Sequence, residues 1–568
     1  MANGDLCRMR IVSEEYRDFI VGKGRDPVFD NIAPDQQCTQ GAGFGYECIY
    51  VERSTADPIN LERYSYNAIP NCYTLLDMEM LNQAGISQIQ NYPTLQLKGE
   101  GIMIGFVDTG IDYENPVFRN LDGSTRIEEI WDQSIQTGET PEDFLYGSVY
   151  GRERIDEALR SENPLEIVPS QDTSGHGTFL ASIAAGGANV ENQFLGAAPE
   201  STIAVVKLKE AKQYLKDYYF IARDAQCYQE TDIMLAVRYL DRLAKSRNMP
   251  LVLCIALGTN MGGHNSTTPL ASILEMYSNM VKRAVVVGVG NEANQRHHYM
   301  GTLTDMSDRR EVEIQVNNEP LGFVLELWTE TPNIISVSLI SPSGEQIPRI
   351  PIRQKSSELY QFVFERTEVQ IDYRLLVERT NSELVMFRFA RPANGIWKIV
   401  VEPVQIADGI FHMWLPVREF LTGEVYFLQS NPNYTITSPG NAIAPITVAY
   451  YNGADNSIDI NSGRGYTRNE RIKPDFAAPG VDVLGAALRG QFVRRTGSSI
   501  AVGVTAGAAA LLLEWIVYQL GGEGIDTIQI KSLLILGTVR DPLNTYPNRE
   551  WGYGRMNLYR TFDEVRRY

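Results

Sequence analysis

The sequence predicts a doubly wound α/β domain with a mostly parallel sheet, interrupted by an inserted, jelly-roll-like β-sandwich and preceded by a small α+β unit. Three observations carry this. Near-continuous apolar runs recur between helical periods, and such runs mark strands buried on both faces, as in parallel sheets. From about 304 to 440 the pattern changes to short alternating stretches divided by turn signals, which is a sandwich signature. The α/β pattern then resumes, so the sandwich reads as an insertion within one domain.

Residues 1–78 form the first unit and hold Cys7, Cys38, Cys48 and Cys72. The α/β domain opens over 79–303. GIMIGFVDTG from Gly101 is its first strand and turn, followed by STIAVVKL (201–208), PLVLCIAL (250–257) and RAVVVGVG (283–290). Helical periods fill 231–248 and 270–283. Strands alternating with helices give a sheet whose ligands bind beyond the carboxyl ends of the strands. Asp108 and Asn291 fall just past such ends. Residues 304–440 supply the sandwich, with EVEIQVN, GFVLELWTE, ISVSLISPSG, IWKIVVEPV and EVYFLQS as strands. Residues 441–568 complete the α/β domain around AVGVTAGAAALLLEWIVYQLGG, a helix apolar on nearly every side and therefore a buried one.

Composition bounds the function. The 568 residues correspond to roughly three or four domain-sized units. A hydrophobic share of 43% and a charged share of 21% are those of a globular chain. The net charge of −19 opposes phosphate neutralisation, so no nucleic-acid partner is expected. No stretch approaches the ~20 apolar residues of a bilayer span, so no membrane partner is expected either. The start, MANGDLCRMRIVSEEY, has no apolar signal core, which points to the cytoplasm and leaves leaderless export open. The cysteines show no CxxC spacing, and free thiols in a reducing compartment are expected for all six.

Three motifs carry chemistry: Val107-Asp108-Thr109-Gly110, Ser174-Gly175-His176-Gly177-Thr178, and Gly497-Ser498-Ser499-Ile500-Ala501 at the head of the long helix. A hydroxyl needs a base within hydrogen-bond reach, and the base needs an orienting partner. His176 is the candidate base, Asp108 its orienter and Ser499 the nucleophile at a helix N-terminus, where backbone N–H groups favour a developing oxyanion. Asn291, in Gly288-Val289-Gly290-Asn291-Glu292, offers a second oxyanion donor through its amide.

These motifs, in the order Asp, His, Ser, resemble the subtilisin-like serine proteases. Gly85-Ile86-Ser87-Gln88-Ile89, Asn461-Ser462-Gly463-Arg464-Gly465 and Lys473-Pro474-Asp475-Phe476-Ala477-Ala478-Pro479-Gly480 resemble further segments of that family. The resemblance implies an endopeptidase with Asp108, His176 and Ser499 catalytic and Asn291 with the Ser499 N–H as oxyanion hole. It implies Ala256, Leu257, Gly258, Gly288, Val289 and Gly290 as substrate-binding. Ser498 stands where the family usually has Thr, and Leu257-Gly258-Thr259 where it commonly has Leu-Gly-Gly; both keep the chemistry, and the latter still builds a strand-like wall for substrate backbone.

The inserted sandwich, the long segment 208–232 and the missing signal core resemble the clostridial germination proteases of the Csp type and related gut clostridial subtilases. That likeness implies limited proteolysis of a zymogen such as a spore-cortex hydrolase precursor, and extends the expected location to the spore interior. It makes residues 1–78 a prodomain that remains as a bound inhibitor after self-cleavage within about 73–80, near Tyr73-Thr74-Leu75-Leu76-Asp77-Met78. Protein or peptide substrates and this prodomain are the expected partners. No cofactor or metal is assigned; the family often binds calcium, but Asp455, Asp459 and Asn461 lack a calcium loop's spacing and read as a turn.

Plainer readings accompany each motif. Asp108 alone is good turn chemistry, Ser499 alone is an N-cap, and Asn291 alone is a loop residue. The adjacent His297 and His298 read as a solvated loop, and the isolated His264 and His412 as structural. A catalytically silent sensor or scaffold, and a general nutritional protease, are the rival functions.

Overall fold

The computed structural model describes residues 3–22, 27–30, 32, 37–75, 84–92 and 95–566. The four apolar runs become neighbouring parallel strands of a nine-stranded sheet, in the order Arg283–Gly288, Leu251–Ile255, Met103–Asp108, Thr202–Lys207. The first three are buried along their whole length, so no polar face interrupts their sequence. Ile446–Asn452 continues the sheet on one side and pairs in parallel with Phe476–Pro479. Ile127–Asp132 and the antiparallel Ser148–Gly151 close the other side.

Helices His176–Ala185 and Ser498–Glu514 pack into the core on one face of the sheet, and Glu230–Ser246 and Pro269–Ser278 into the core on the other. The helix from Ser498 runs on through Gln519, a 22-residue stretch apolar enough to cross a bilayer by length and composition. This corrects the expectation that no stretch approaches that length. With 83% of its most apolar window buried, its hydrophobicity serves the core.

Two antiparallel sheets follow. Six strands run in the order His298–Thr302, Ile410–Trp414, Gly322–Glu330, Ser382–Ala390, Glu368–Arg374, Lys355–Gln361. Five run in the order Gln346–Ile347, Ile334–Ile340, Gly395–Gln405, Arg310–Asn317, Glu424–Phe427. The six-stranded sheet already begins at His298, ahead of the expected 304. Arg310–Asn317 shows the alternation expected of a half-buried strand, with Val312, Ile314 and Val316 inside. Gly322–Glu330 is buried on both faces. Phe323, Leu325 and Leu327 join the core between the sheets, while Val324 and Trp328 meet the N-terminal unit.

That unit is a three-stranded antiparallel sheet ordered Tyr16–Val21, Tyr46–Glu52, Gln37–Gly43, flanked by helix Asn3–Val12. It is held by buried polar contacts as well as apolar ones. Asp18 is fully buried and is gripped by Lys212 and Gln229 of the segment 208–232. The Tyr66 hydroxyl donates to Glu326 at 2.7 Å. Cys7 and Cys38 form a disulfide, with Cα atoms 5.8 Å apart because the helix lies against the edge strand. The expectation of six free thiols is corrected for this pair; Cys48, Cys72, Cys227 and Cys254 are free and buried.

Candidate active site

Asp108 is the last residue of the strand Met103–Asp108, His176 opens one helix and Ser499 lies in the first turn of another. The strand's carboxyl end and the two helix N-termini converge at one rim of the sheet. His176 Nδ1 lies 2.7 Å from Asp108 Oδ1, and His176 Nε2 lies 3.1 Å from Ser499 Oγ. All three side chains are buried. With Nδ1–H donating to the carboxylate, Nε2 is left as the acceptor for the hydroxyl proton.

Two glycines are required by this convergence. A Cβ on Gly177 would lie 2.2 Å from the Gly110 carbonyl oxygen and 3.1 Å from Asp108 Oδ1, so only glycine lets the histidine helix approach the aspartate loop. Gly497 takes φ +146° just before the serine helix, a conformation that side chains rarely adopt.

Asp172 organises the turn that delivers His176 and escaped the sequence reading. Its Oδ1 accepts from the Thr109 hydroxyl at 2.9 Å and from the N–H groups of Ser174 and Gly175 at 3.0 and 2.8 Å. Its Oδ2 accepts from the N–H and hydroxyl of Thr178 at 2.9 and 2.7 Å. One carboxylate thus ties the aspartate loop to the histidine turn. The signal was an aspartate two residues before a Ser-Gly pair, the pattern of a side-chain-closed turn.

Asn291 accepts from the Ser498 N–H through Oδ1 at 3.2 Å. That bond fixes the amide and leaves Nδ2 as its donor. Ser498 Oγ accepts from Gly290 N–H at 3.2 Å, so serine keeps the hydroxyl contact at this position. Gly288, Val289 and Gly290 lie at the end of the neighbouring strand, with their backbone engaged by residues behind the rim. Val289 O accepts from Thr437 N–H at 3.0 Å and Gly290 O from Gly463 N–H at 3.1 Å.

The rim already holds a strand. Cys72–Leu75 of the N-terminal unit pairs antiparallel with Leu257–Gly258, setting Leu75 opposite Leu257 and Thr74 opposite Gly258. On its other side Tyr73 faces Tyr228 and Cys72 faces Gln229. A three-stranded ribbon results, with the chain's own segment in the middle. The expected cleavage window 73–80 is described only through Leu75; residues 76–80 lie outside the described residues.

Glu230, at the start of the helix Glu230–Ser246, grips this strand and was also missed. Asn71 N–H donates to its Oε2 at 3.1 Å, and the Tyr73 hydroxyl and Leu270 N–H donate to Oε1 at 3.4 and 2.9 Å. Burial pushes its carboxyl up to about 7 against the pull of these donors.

The remaining histidines lie elsewhere. His297 and His298 are buried, which corrects the solvated-loop expectation. His297 Nδ1 pairs with Glu292 at 2.8 Å, and His298 begins a strand of the six-stranded sheet. His298 Nε2 lies 3.0 Å from His412 Nδ1, and His264 stacks on Trp414 with ring centres 4.0 Å apart. Burial lowers His264 to about 4 and His298 to about 3, and drives His412 down as well. Asp455 and Asp459 close turns, accepting from the N–H groups of Ser457 and Asn461 at 2.9 and 2.8 Å.

Comparison with known proteins bears on this geometry. The model of the subtilase family matches residues 99–362 and 422–554. The structure of the CspB protease of Clostridium perfringens is 31% identical and superposes with a TM-score of 0.76, over 86% of this chain and 99% of that one. Subtilisin-like protease SBT3.6 of Arabidopsis thaliana is 24% identical over 457 residues, 73% of this chain and 56% of that protein. SBT2.4 of the same plant is 37% identical over 129 residues, 19% of this chain and 15% of that one. The chain thus spans about half the length, or less, of these curated relatives.

Proposed function

This chain belongs to the subtilase family, and from that membership we propose that it is a serine endopeptidase held as a zymogen by its own N-terminal unit. The observation that supports the chemistry is the single imidazole bridging Asp108 at 2.7 Å and Ser499 at 3.1 Å. Ser499 Oγ attacks a peptide carbonyl carbon while its proton passes to His176 Nε2. Asp108 holds the Nδ1–H tautomer and stabilises the imidazolium. The oxyanion is met by Asn291 Nδ2 and the Ser499 N–H. His176 then protonates the leaving amine, which departs and leaves an acyl-enzyme. Water, deprotonated by the same imidazole, hydrolyses the ester and restores Ser499.

The ribbon at the rim supports the zymogen reading, because a strand paired with residues 257–258 lies where substrate backbone would add. In this reading residues 1–78 are the prodomain, 79–303 and 441–568 the catalytic domain, and 304–440 an inserted sandwich. The biological role is limited proteolysis of another zymogen, of the spore-cortex hydrolase type, within the cytoplasm or spore.

The test is hydrolysis of a broad peptide library, read by mass spectrometry, with wild type and Ser499→Ala in parallel. The expected result is new termini from wild type alone. The same products from both, or none from either, would overturn the proposal.

A further inference from the structure

We propose that Cys72 and Cys227 close into a second disulfide when a small-molecule disulfide is present, and that this bond ties the N-terminal unit to the catalytic domain across the cut. The latch rests on the protease reading above and adds a regulation to it. Cys72 opens the rim strand Cys72–Leu75, and Cys227 immediately precedes Tyr228–Gln229, the strand beside it. The ladder sets Tyr73 opposite Tyr228 and Cys72 opposite Gln229. Side chains alternate across such a ribbon. Tyr73 and Tyr228 accordingly enter one apolar core, and Cys72 and Cys227 together enter another. The two thiols lie close enough there to share a hydrogen bond. Cys48 meets Tyr50 and the Thr231 carbonyl instead.

Both cysteines are buried. Burial pushes the Cys72 thiol up, and its contact with Cys227 adds to this. A protonated, buried thiol is inert, so the pair stays reduced while the strand is seated. The seat is short, with two ladder pairs on each side of the strand. When it opens, one cysteine thiolate attacks a sulfur of oxidised glutathione and one glutathione thiolate leaves. As the strand reseats, the other cysteine attacks the mixed disulfide and expels the second glutathione. Two protein thiols and one glutathione disulfide become one protein disulfide and two glutathione thiols, the cysteine protons passing to the departing thiolates. Any cut within 73–80 leaves Cys72 on one fragment and Cys227 on the other. Reduced fragments part by losing non-covalent contacts alone. Bridged fragments keep the strand beside residues 257–258 at high effective concentration, so the cleft stays covered. Cys7 and Cys38 lie on the same fragment and cannot do this.

The first experiment needs no turnover. The Ser499→Ala chain is treated with oxidised glutathione, alkylated and mapped by mass spectrometry without reduction. The expected product is a bridge between the peptides holding Cys72 and Cys227, lost on adding dithiothreitol. Recovery of either cysteine as an alkylated thiol, as a glutathione adduct or in another pairing overturns the proposal. The second uses self-cleaved wild type. After oxidation its fragments are expected to run as one species until reduced, and its peptidase rate to fall by at least about tenfold, with dithiothreitol restoring it. Cys72→Ala, which keeps Cys7–Cys38, is expected to show neither change. A bridged enzyme as fast as the reduced one, or a Cys72→Ala chain that responds in the same way, overturns the latch. Wild type that stays whole and cleaves no peptide overturns the protease reading instead, and the map of Ser499→Ala still decides whether the bridge forms.

Discussion

Buried imidazoles sit in two settings in this molecule. At the rim of the nine-stranded sheet, His176 has a carboxylate on one nitrogen and a hydroxyl on the other. Where the six-stranded sheet meets the α/β domain, His264, His298 and His412 gather around Trp414, bonded to backbone carbonyls and to each other. No carboxylate touches these three rings among the described contacts, and burial, helped by Arg468 and by the neighbouring imidazoles, lowers all three. His297 is intermediate: Glu292 partners it, and among the described contacts no hydroxyl completes a relay. Burial by itself makes a histidine an uncharged aromatic that packs. A buried counter-ion on one nitrogen and a proton donor on the other make it a base.

The sharpest way to break this comparison is to delete one ring from each setting. His176→Ala is expected to lower kcat by about 10⁶, read on the best peptide from the library. A loss of tenfold or less would remove the distinction between the two sites. Asn291→Ala, which leaves the relay intact and removes one oxyanion donor, should cost about 10²–10³ in kcat with KM little changed. An effect confined to KM would assign Asn291 to substrate binding instead.

At the junction the effect moves from rate to stability. His412→Ala empties a fully packed aromatic site and leaves His298 Nε2 without its partner, and should destabilise the fold by about 3 kcal/mol in denaturant unfolding. The peptidase kinetics should stay as they are. Lost activity in a stably folded variant would place the junction in the catalytic machinery.

The same contrast extends to titration. These three imidazoles bind protons less readily folded than unfolded, so the unfolded chain takes up more protons once pH drops below 6.5. Each therefore removes stability as pH falls from 6.5 toward its folded value, by about 1.4 kcal/mol per pH unit. NMR of ¹³C-labelled histidine should show His264, His298 and His412 still neutral at pH 5. Ordinary titration of these three would erase the contrast.

Much of the architecture was legible in the sequence for a single reason. Strands such as Met103–Asp108 and Leu251–Ile255 are buried on both faces, and burial on both faces leaves an unbroken apolar run. Ile127–Asp132 was not, because Glu128 and Glu129 near the edge of the sheet stay partly exposed and break the run. Asp108, His176, Ser499 and Asn291 were legible because glycines flank them in fixed motifs. Glu230 and Asp172 were hidden for opposite reasons. Asp172 acts through turn hydrogen bonds open to any aspartate, and Glu230 gains its meaning only when a distant segment, Asn71 to Tyr73, folds back across the rim. Cys7 and Cys38 carry no spacing signal; only the packing of a helix on a strand brings them together.

The central claim is that Asp108, His176 and Ser499 form a working relay with the chain's own strand seated before it. Intact-mass measurement of freshly purified protein tests it most directly. The account expects wild type to resolve into two fragments divided within 73–80, and Ser499→Ala and His176→Ala to remain whole at 63.7 kDa. Wild type that stays whole, or Ser499→Ala that divides at the same bond, would contradict it.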